Sequence, residues 1–400
     1  MVTALQGLTC IEISRVLPGA FCTRMLADMG ANVIKIEEPH RKFPGGLGKE
    51  KWRRASFDRN KKSLFLDLKL PEGQKILHDL ATSADVVVEG FRPGVIKRLG
   101  ADYETLSNIN PRIVLCSLSG YGQTGPYSNM PGHDLNYISV AGAQDLIGLQ
   151  GQPPAIPLNL LADVASAALH GVIGILTAII AREHTGRGQY VDVSYMDGVF
   201  SMLSAVPQIA DYLLSGTVPR RGEGVLGGAY PYYNLYKTKD EKYIAVACME
   251  AHFWENLCQA LERPDLSAYK FSQEHFNSPS DEEWQKAKKE LDDIFISRTR
   301  EEWVDLLSSY DVCVSRVNSV DEAFTDVQCI EREMLQEKED EHWGKIKQIG
   351  IPVKLSDTPG IIRSLAPKPG KHTEEILTSL GYSGYQIQQL IEKKVTRLES

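Results

Sequence analysis

A parallel, doubly wound α/β sheet is the fold class that the first 120 residues predict, and three observations predict it. Short strand-like runs alternate with helical ones at close spacing. Each run is built around apolar residues, as strands of a sheet covered on both faces are. Proline and glycine stand where helices should start and stop. In order, Leu8–Ile13 reads as the first strand, and Pro18 enters the first turn of a helix that ends at Gly30. Asn32–Glu37 follows as a strand, and Ser63–Leu68, Asp85–Glu89 and Ile113–Ser117 supply three more. Helices near Glu72–Thr82 and Gly94–Leu99 fall between them. The Leu17-Pro18-Gly19-Ala20 turn lacks the G-x-G-x-x-G fingerprint, so a nicotinamide cofactor is rejected.

Gln189–Ser194 is a further strand, and a helix is expected from Met196 to about Leu214. Gly216–Gly228 is rich in Gly, Arg and Pro and reads as an exposed connection. Beyond it, Tyr233–Lys237 and Lys242–Cys248 flank Thr238-Lys239-Asp240-Glu241, a hairpin signal. Helical segments follow at Ala251–Glu262, Asp281–Arg298 and Arg300–Tyr310, so a smaller α+β domain is expected over 225–325. A strand-like Ile346–Leu355 and amphipathic helical stretches from Thr373 to Lys394 then return the chain to the large domain. That domain is therefore expected to comprise residues 1–200 and 330–400.

At 400 residues the chain is long enough for two domains, and its 42% hydrophobic and 24% charged content is ordinary for a globular protein. A net charge of −8 gives no support for nucleic-acid binding. Met1–Gly7 runs straight into the first strand, so no N-terminal signal is expected. The seven cysteines are scattered, mostly within apolar runs, and form no C-x-x-C pair. Reduced, buried thiols and a cytoplasmic location follow as expectations, and a zinc site has nothing to recommend it. Val164–Ala181 is long and apolar enough to imitate a membrane span. Asp163 at its start, its wealth of Ala and Gly, and the lack of a second span favour a buried helix instead.

Two segments carry the chemistry. Gly-His-Asp-Leu-Asn-Tyr at 132–137 and Leu-Asn-Leu-Leu-Ala-Asp at 158–163 set an imidazole, His133, and a carboxylate, Asp163, about thirty residues apart. Each lies beside a break in regular structure. Two such bases facing one carbon from opposite sides can remove a proton and return it on the other face. Taken singly, His133 could cap a turn, Asp163 could be an acidic residue favoured by a helix dipole, and Glu250 could merely start a helix.

Longer motifs decide the matter. Leu17-Pro18-Gly19, Leu26-Ala27-Asp28-Met29-Gly30-Ala31, Asp58-Arg59-Asn60-Lys61-Lys62-Ser63, Glu89-Gly90-Phe91-Arg92-Pro93-Gly94-Val95 and Gly186-Arg187-Gly188-Gln189 occur in order along the chain. With Ser119-Gly120-Tyr121-Gly122-Gln123-Thr124-Gly125-Pro126, they resemble the superfamily of family III CoA-transferases and α-methylacyl-CoA racemases. The resemblance implies a two-domain subunit interlocked in a homodimer, with CoA bound on the large domain as part of the substrate. Arg59, Lys61, Lys62, Phe91 and Arg92 are the expected CoA contacts, since guanidinium and ammonium groups suit phosphates. A flexible loop is the simpler account of His40-Arg41-Lys42, which could also reach the adenine end.

Within the superfamily, the aspartate matching Asp163 is a nucleophile in the transferases. In the racemases it works opposite a histidine with a glutamate nearby, and this chain has both, as His133 and Glu250. Racemisation of a 2-methyl-branched acyl-CoA is thus the expected activity. Asp134, Tyr137 and Asn159 are expected to shape the site, and backbone N–H groups near Asp163 to hold the enolate oxygen. No metal, flavin or nicotinamide is needed, and neither nucleic acid nor membrane is an expected partner. A family III CoA-transferase acting through an Asp163 anhydride is the alternative, and a non-catalytic CoA-binding subunit is a further one. The Arg221–Gly228 run, rich in glycine as transferase loops are, keeps the first alternative open.

Overall fold

Six parallel strands form the main sheet of the computed structural model, which describes residues 2–40, 56–276, 278, 280–340 and 344–399. They are β1 (Thr9–Ile13), β2 (Asn32–Glu37), β3 (Lys61–Phe65), β4 (Val86–Glu89), β5 (Val114–Ser119) and β6 (Tyr190–Ser194), in the order β3-β2-β1-β4-β5-β6. The order reverses between β1 and β4, and such a reversal opens a crevice at the carboxyl ends of the two strands. In-register pairing puts Ile11 beside Ile34 and Val87, and Val87 beside Leu115. These side chains form one apolar layer with Ile76 and Leu77 of the helix Pro71–Ala81 and with Leu377 and Leu390 of the tail.

The opposite face carries Cys10, Val86, Val88, Cys116 and Leu118, all buried. The helix Leu17–Asp28 and the long helix Leu160–Thr185 lie over it, and glycine sets how close the second one comes. A Cβ on Gly174 would stand 2.7 Å from Val191 Cγ1, and one on Gly171 would stand 3.1 Å from Cys22 Sγ. This helix is long and apolar enough to cross a membrane by length and composition alone. The expectation of a buried helix needs correcting, because among the described residues only one of its faces is covered. Leu160, Leu169, Ile173 and Ile180 are exposed on its other side.

The described residues form two compact units, residues 1–137, 159–199 and 326–400 in one, and 138–158 and 200–325 in the other. In the first, the tail covers the free edge of β3. Thr373 Oγ1 accepts from Phe65 N, and Thr396 Oγ1 donates to Phe65 O, so the edge presents no open ladder. An antiparallel pair, β10 (Leu335–Asp340) with β11 (Gly344–Ile349), also belongs here. The expected strand Ile346–Leu355 is therefore shorter and displaced, with a partner that charge-rich sequence did not announce. The second unit holds the antiparallel sheet of β7 (Tyr233–Lys237), β8 (Tyr243–Ala247) and β9 (Val314–Arg316). Trp254, Leu291, Phe295 and Trp303 fill its core. The single helix expected from Met196 to Leu214 is two, Tyr195–Met202 and Pro207–Ser215. Pro207 lacks the N–H that a continuous helix would need.

Candidate active site

The crevice at the β1/β4 reversal is walled by the segments that leave the two strands. A Cβ on Gly90 would lie 3.5 Å from Val16 Cγ2, and the Arg15 guanidinium sits 5.4 Å from the centre of the Phe91 ring. Arg92, in the turn after β4, is exposed. The parallel-sheet rule therefore places Phe91 and Arg92 at the edge that receives ligands.

His133 stands at the N-cap of the helix Asp134–Val140, its imidazole exposed. Its own N–H donates to Asn136 Oδ1 at 3.0 Å, and its carbonyl accepts from the N–H groups of Asn136 and Tyr137. The Tyr137 hydroxyl donates to Gly132 O at 2.6 Å. Both sides of the His133 backbone are thereby pinned. The Tyr137 ring packs edge-on against Tyr121 and Tyr195, and Gly120 leaves the space it occupies, since a Cβ there would stand 2.2 Å from the ring.

Asp163 lies in the first turn of a π-helical stretch, Leu160–Leu169, that leads into the α-helix His170–Thr185. Single-turn π-bulges are the usual form, so ten residues of π-helix mark an unusual local demand. Leu158, just before it, holds a left-handed φ of 59°, a conformation that costs a branched side chain free energy. Asp134 joins the two segments. Its Oδ2 accepts from Ala162 N at 2.8 Å and from Asp163 N at 2.9 Å. Burial raises the Asp163 carboxyl above its ordinary range; Asn159 opposes this, Asp134 adds to it and the His133 charge draws it back. Asn159 Nδ2 approaches Asp163 Oδ2 at 3.4 Å. Burial likewise pushes the Tyr137 hydroxyl up to about 12, helped by Tyr121 and Asp163 and opposed by Arg92. His133, Asp134, Tyr137, Asn159, Asp163 and Arg92 therefore act on one another electrostatically or through hydrogen bonds.

Three expectations are corrected. The Ala162 and Asp163 N–H groups already donate to Asp134, so they are not the donors for an enolate oxygen. Arg59 is 1% exposed, with its guanidinium on Asp28 at 2.7 Å and on Ile349 O, and it has no face left for phosphate. Lys61 is buried against Glu12 at 2.8 Å, Ala20 O and Thr23. Both residues stand where β3 begins, at the amino edge of the sheet, whereas ligands are received at the carboxyl edge. Burial opposes ionisation of Glu12, but Lys35 and Lys61 overcome it and hold the carboxyl below its usual range. Lys62 pairs with Glu375 of the tail at 2.6 Å and stays part-exposed. His40 reaches Lys394 O at 3.1 Å, and Arg41 and Lys42 lie outside the described residues.

Glu250 is exposed in the second unit, at the N-cap of the helix Ala251–Ala260, with no side-chain cap bond. Among the described residues no group of three His, Cys, Asp or Glu is placed to hold a metal ion. Glu89, which ends β4, is a buried carboxyl beside this site that sequence reading missed. Its signal was present, an ionisable residue closing a run of three valines.

Comparison with known proteins identifies the family. The sequence profile of CoA-transferase family III matches residues 5–373. An alpha-methylacyl-CoA racemase from Homo sapiens is 35% identical, covering 98% of this chain and 97% of that protein. The succinyl-CoA--L-malate CoA-transferase beta subunit of Chloroflexus aurantiacus is 34% identical, covering 98% of each chain. Among solved structures, a CAIB/BAIF family protein from Brucella suis superimposes with a TM-score of 0.80 at 28% identity, covering 95% of this chain and all of that one.

Proposed function

This chain belongs to CoA-transferase family III, and from that premise we propose that it interconverts the two configurations at C2 of 2-methyl-branched acyl-CoA thioesters. One observation carries the proposal: Asp134 ties the backbone of Asp163 to the segment of His133, so that an imidazole and an up-shifted carboxyl share one site. A transferase needs the carboxylate alone. A racemase needs two bases of comparable readiness, and burial moves Asp163 toward histidine in that respect. The thioester makes the α-proton acidic by spreading the charge of the carbanion onto its oxygen. His133 then serves one face of C2 and Asp163 the other, exchanging acid and base roles with direction. Arg92 and Phe91 receive the CoA, with guanidinium on phosphate. Glu250 of a second copy orients the His133 imidazole as a third group orients a catalytic base. The exposed stripe Leu169, Ile173 and Ile180 supports a homodimer, because a patch of that kind calls for a partner surface. CoA enters as part of the substrate, and the reaction needs no other cofactor.

The likeness to CoA-transferases keeps the second reading specific: Asp163 as nucleophile, forming an anhydride and then an aspartyl-CoA thioester. Incubating a chiral 2-methylacyl-CoA with the protein in deuterated water separates the two. Deuterium at C2 with loss of optical purity is the expected result. Transfer of CoA onto an added carboxylate, with release of the 2-methyl acid and no deuteration, or an Asp163-linked CoA thioester seen by mass spectrometry, would establish the transferase instead.

A further inference from the structure

Glu89 closes β4 at the crevice and is 1% exposed. Burying a carboxyl costs free energy that an apolar side chain in its place would not incur. The surroundings show what the group does. Its Oε2 accepts from Phe91 N at 2.7 Å, which ties down the first bend of the turn that carries Arg92. Farther along, Val95 N donates to Arg92 O at 3.2 Å, and Gly94 takes a φ of 78° that side chains resist. The turn is thus held at both ends, with Arg92 between them.

The register places Glu89 beside Ser117 of β5, and Ser117 beside Asp192 of β6. Paired residues of a parallel sheet share a face, so the three form a row along the carboxyl edge. The groups that act on Glu89 or feel its charge are Ser117, Asp192, Tyr190, Tyr195 and Cys116, and Arg15 lies over the Phe91 ring. Burial pushes Glu89 up to about 7; Ser117 and the Phe91 N–H oppose this, and Asp192 adds to it. From the turn the influence runs on, since the Arg92 charge acts on Tyr137 and the Tyr137 hydroxyl holds Gly132 O next to His133.

We infer that Glu89 is a positioning residue of this site, whose carboxyl fixes the Phe91–Arg92 turn in the conformation that receives the CoA phosphates. A hydrogen bond to a carboxylate is about twice as strong as one to a neutral acceptor. Ionisation of Glu89 therefore tightens the turn, and CoA affinity rises with pH across neutrality. The inference rests on the proposed contact of Arg92 with CoA phosphate, and the test keeps the two apart.

The test uses the full-length protein, with CoA itself as the calorimetric probe and a 2-methyl-branched acyl-CoA as the kinetic one. Glu89→Ala is expected to raise the Kd for CoA and the KM roughly tenfold with a smaller change in kcat. Arg92→Ala should weaken CoA to a similar extent, and the double variant should be little worse than either, because both act through one contact. Glu89→Gln, which keeps an acceptor for Phe91 N but cannot ionise, should show a smaller rise of CoA affinity with pH near 7 than the wild type, the remainder being the ionisation of the CoA phosphate itself. Weakened binding in Arg92→Ala beside unchanged binding in Glu89→Ala would overturn the role of Glu89 alone. Unchanged binding in Arg92→Ala would overturn the phosphate contact and the inference with it. If Glu89→Ala does not fold, Glu89→Gln still decides, since a pH dependence of CoA affinity as steep as that of the wild type overturns the inference.

Discussion

Asp134 binds the two halves of the site together, through one carboxylate oxygen and two backbone N–H groups. Asp134→Ala leaves those donors buried without an acceptor, at a cost of about 1–3 kcal/mol. Activity in both directions should fall together, because the change moves Asp163 relative to His133. Asp134→Asn keeps an acceptor oxygen and should recover most of the lost stability in urea denaturation; an equally unstable Asn variant would contradict the clamp. On the proposed racemase reading, His133→Ala and Asp163→Ala tell the two bases apart. Each should cost about 10²–10⁴ in interconversion rate, yet each should still exchange the α-proton of one enantiomer only, and not the same one. Loss of CoA transfer to an added carboxylate in Asp163→Ala, with His133→Ala barely affected and no α-proton exchange in any form, is the transferase pattern. Glu89 supplies a prediction about stability. Its pKa in the fold is about 7 against an ordinary 4.5, so folding favours the protonated form. That contribution is fully present below about 4.5 and lost as pH rises through about 7, and it amounts to roughly 3 kcal/mol. Glu89→Gln has no such proton to lose, so its stability should gain on the wild type between pH 5 and 8. Denaturation curves that stay parallel across that range would refute it.

At the scale of elements, the helix Leu160–Thr185 shows how local sequence and packing divide the work. Its apolar run identified a helix, and its glycines are explained by the sheet beneath them. Gly174→Leu would drive a side chain into Val191, and overpacking of that kind costs about 1–3 kcal/mol. A lowered melting temperature is the expected outcome, and an unchanged one would mean that the helix can lift from the sheet freely. The π-helical opening turn was not legible, because the i, i+5 pattern has no composition of its own and here accompanies the strained Leu158. β10 was missed for a different reason. Leu-Gln-Glu-Lys-Glu-Asp has neither apolar alternation nor β-branched residues, and its pairing with β11 is what makes it a strand. The hairpin of β7 and β8 was legible, since turn residues stand between two apolar, aromatic runs.

At the scale of the molecule, the exposed stripe of Leu169, Ile173 and Ile180 lies along one side of a helix whose other side is packed. If a second copy covers it, Ile173→Glu with Ile180→Glu should sediment as a 44.5 kDa monomer while the parent sediments as a dimer. A parent that is monomeric at micromolar concentration would refute that covering. The return of the tail is also a property of the whole chain. Residues 326–400 complete the unit begun by residues 1–137, and Arg59 and Asn60 link the two through Ile349 O and Ile361 O. Family motifs counted Arg59 and Lys61 among binding residues, whereas the fold spends both on its own interior.

The chain by itself determined the parallel sheet, the motifs of its family and the pair His133 and Asp163. Each of these is written locally, as apolar runs, turn residues and short fixed spacings. Tertiary structure decided which charges are free and which are consumed. A lysine or arginine looks the same in sequence whether it meets phosphate or a buried carboxylate, and only the partner brought from elsewhere in the chain distinguishes the two. The same holds for Asp134 and Glu89, whose work depends on N–H groups that folding alone delivers to them.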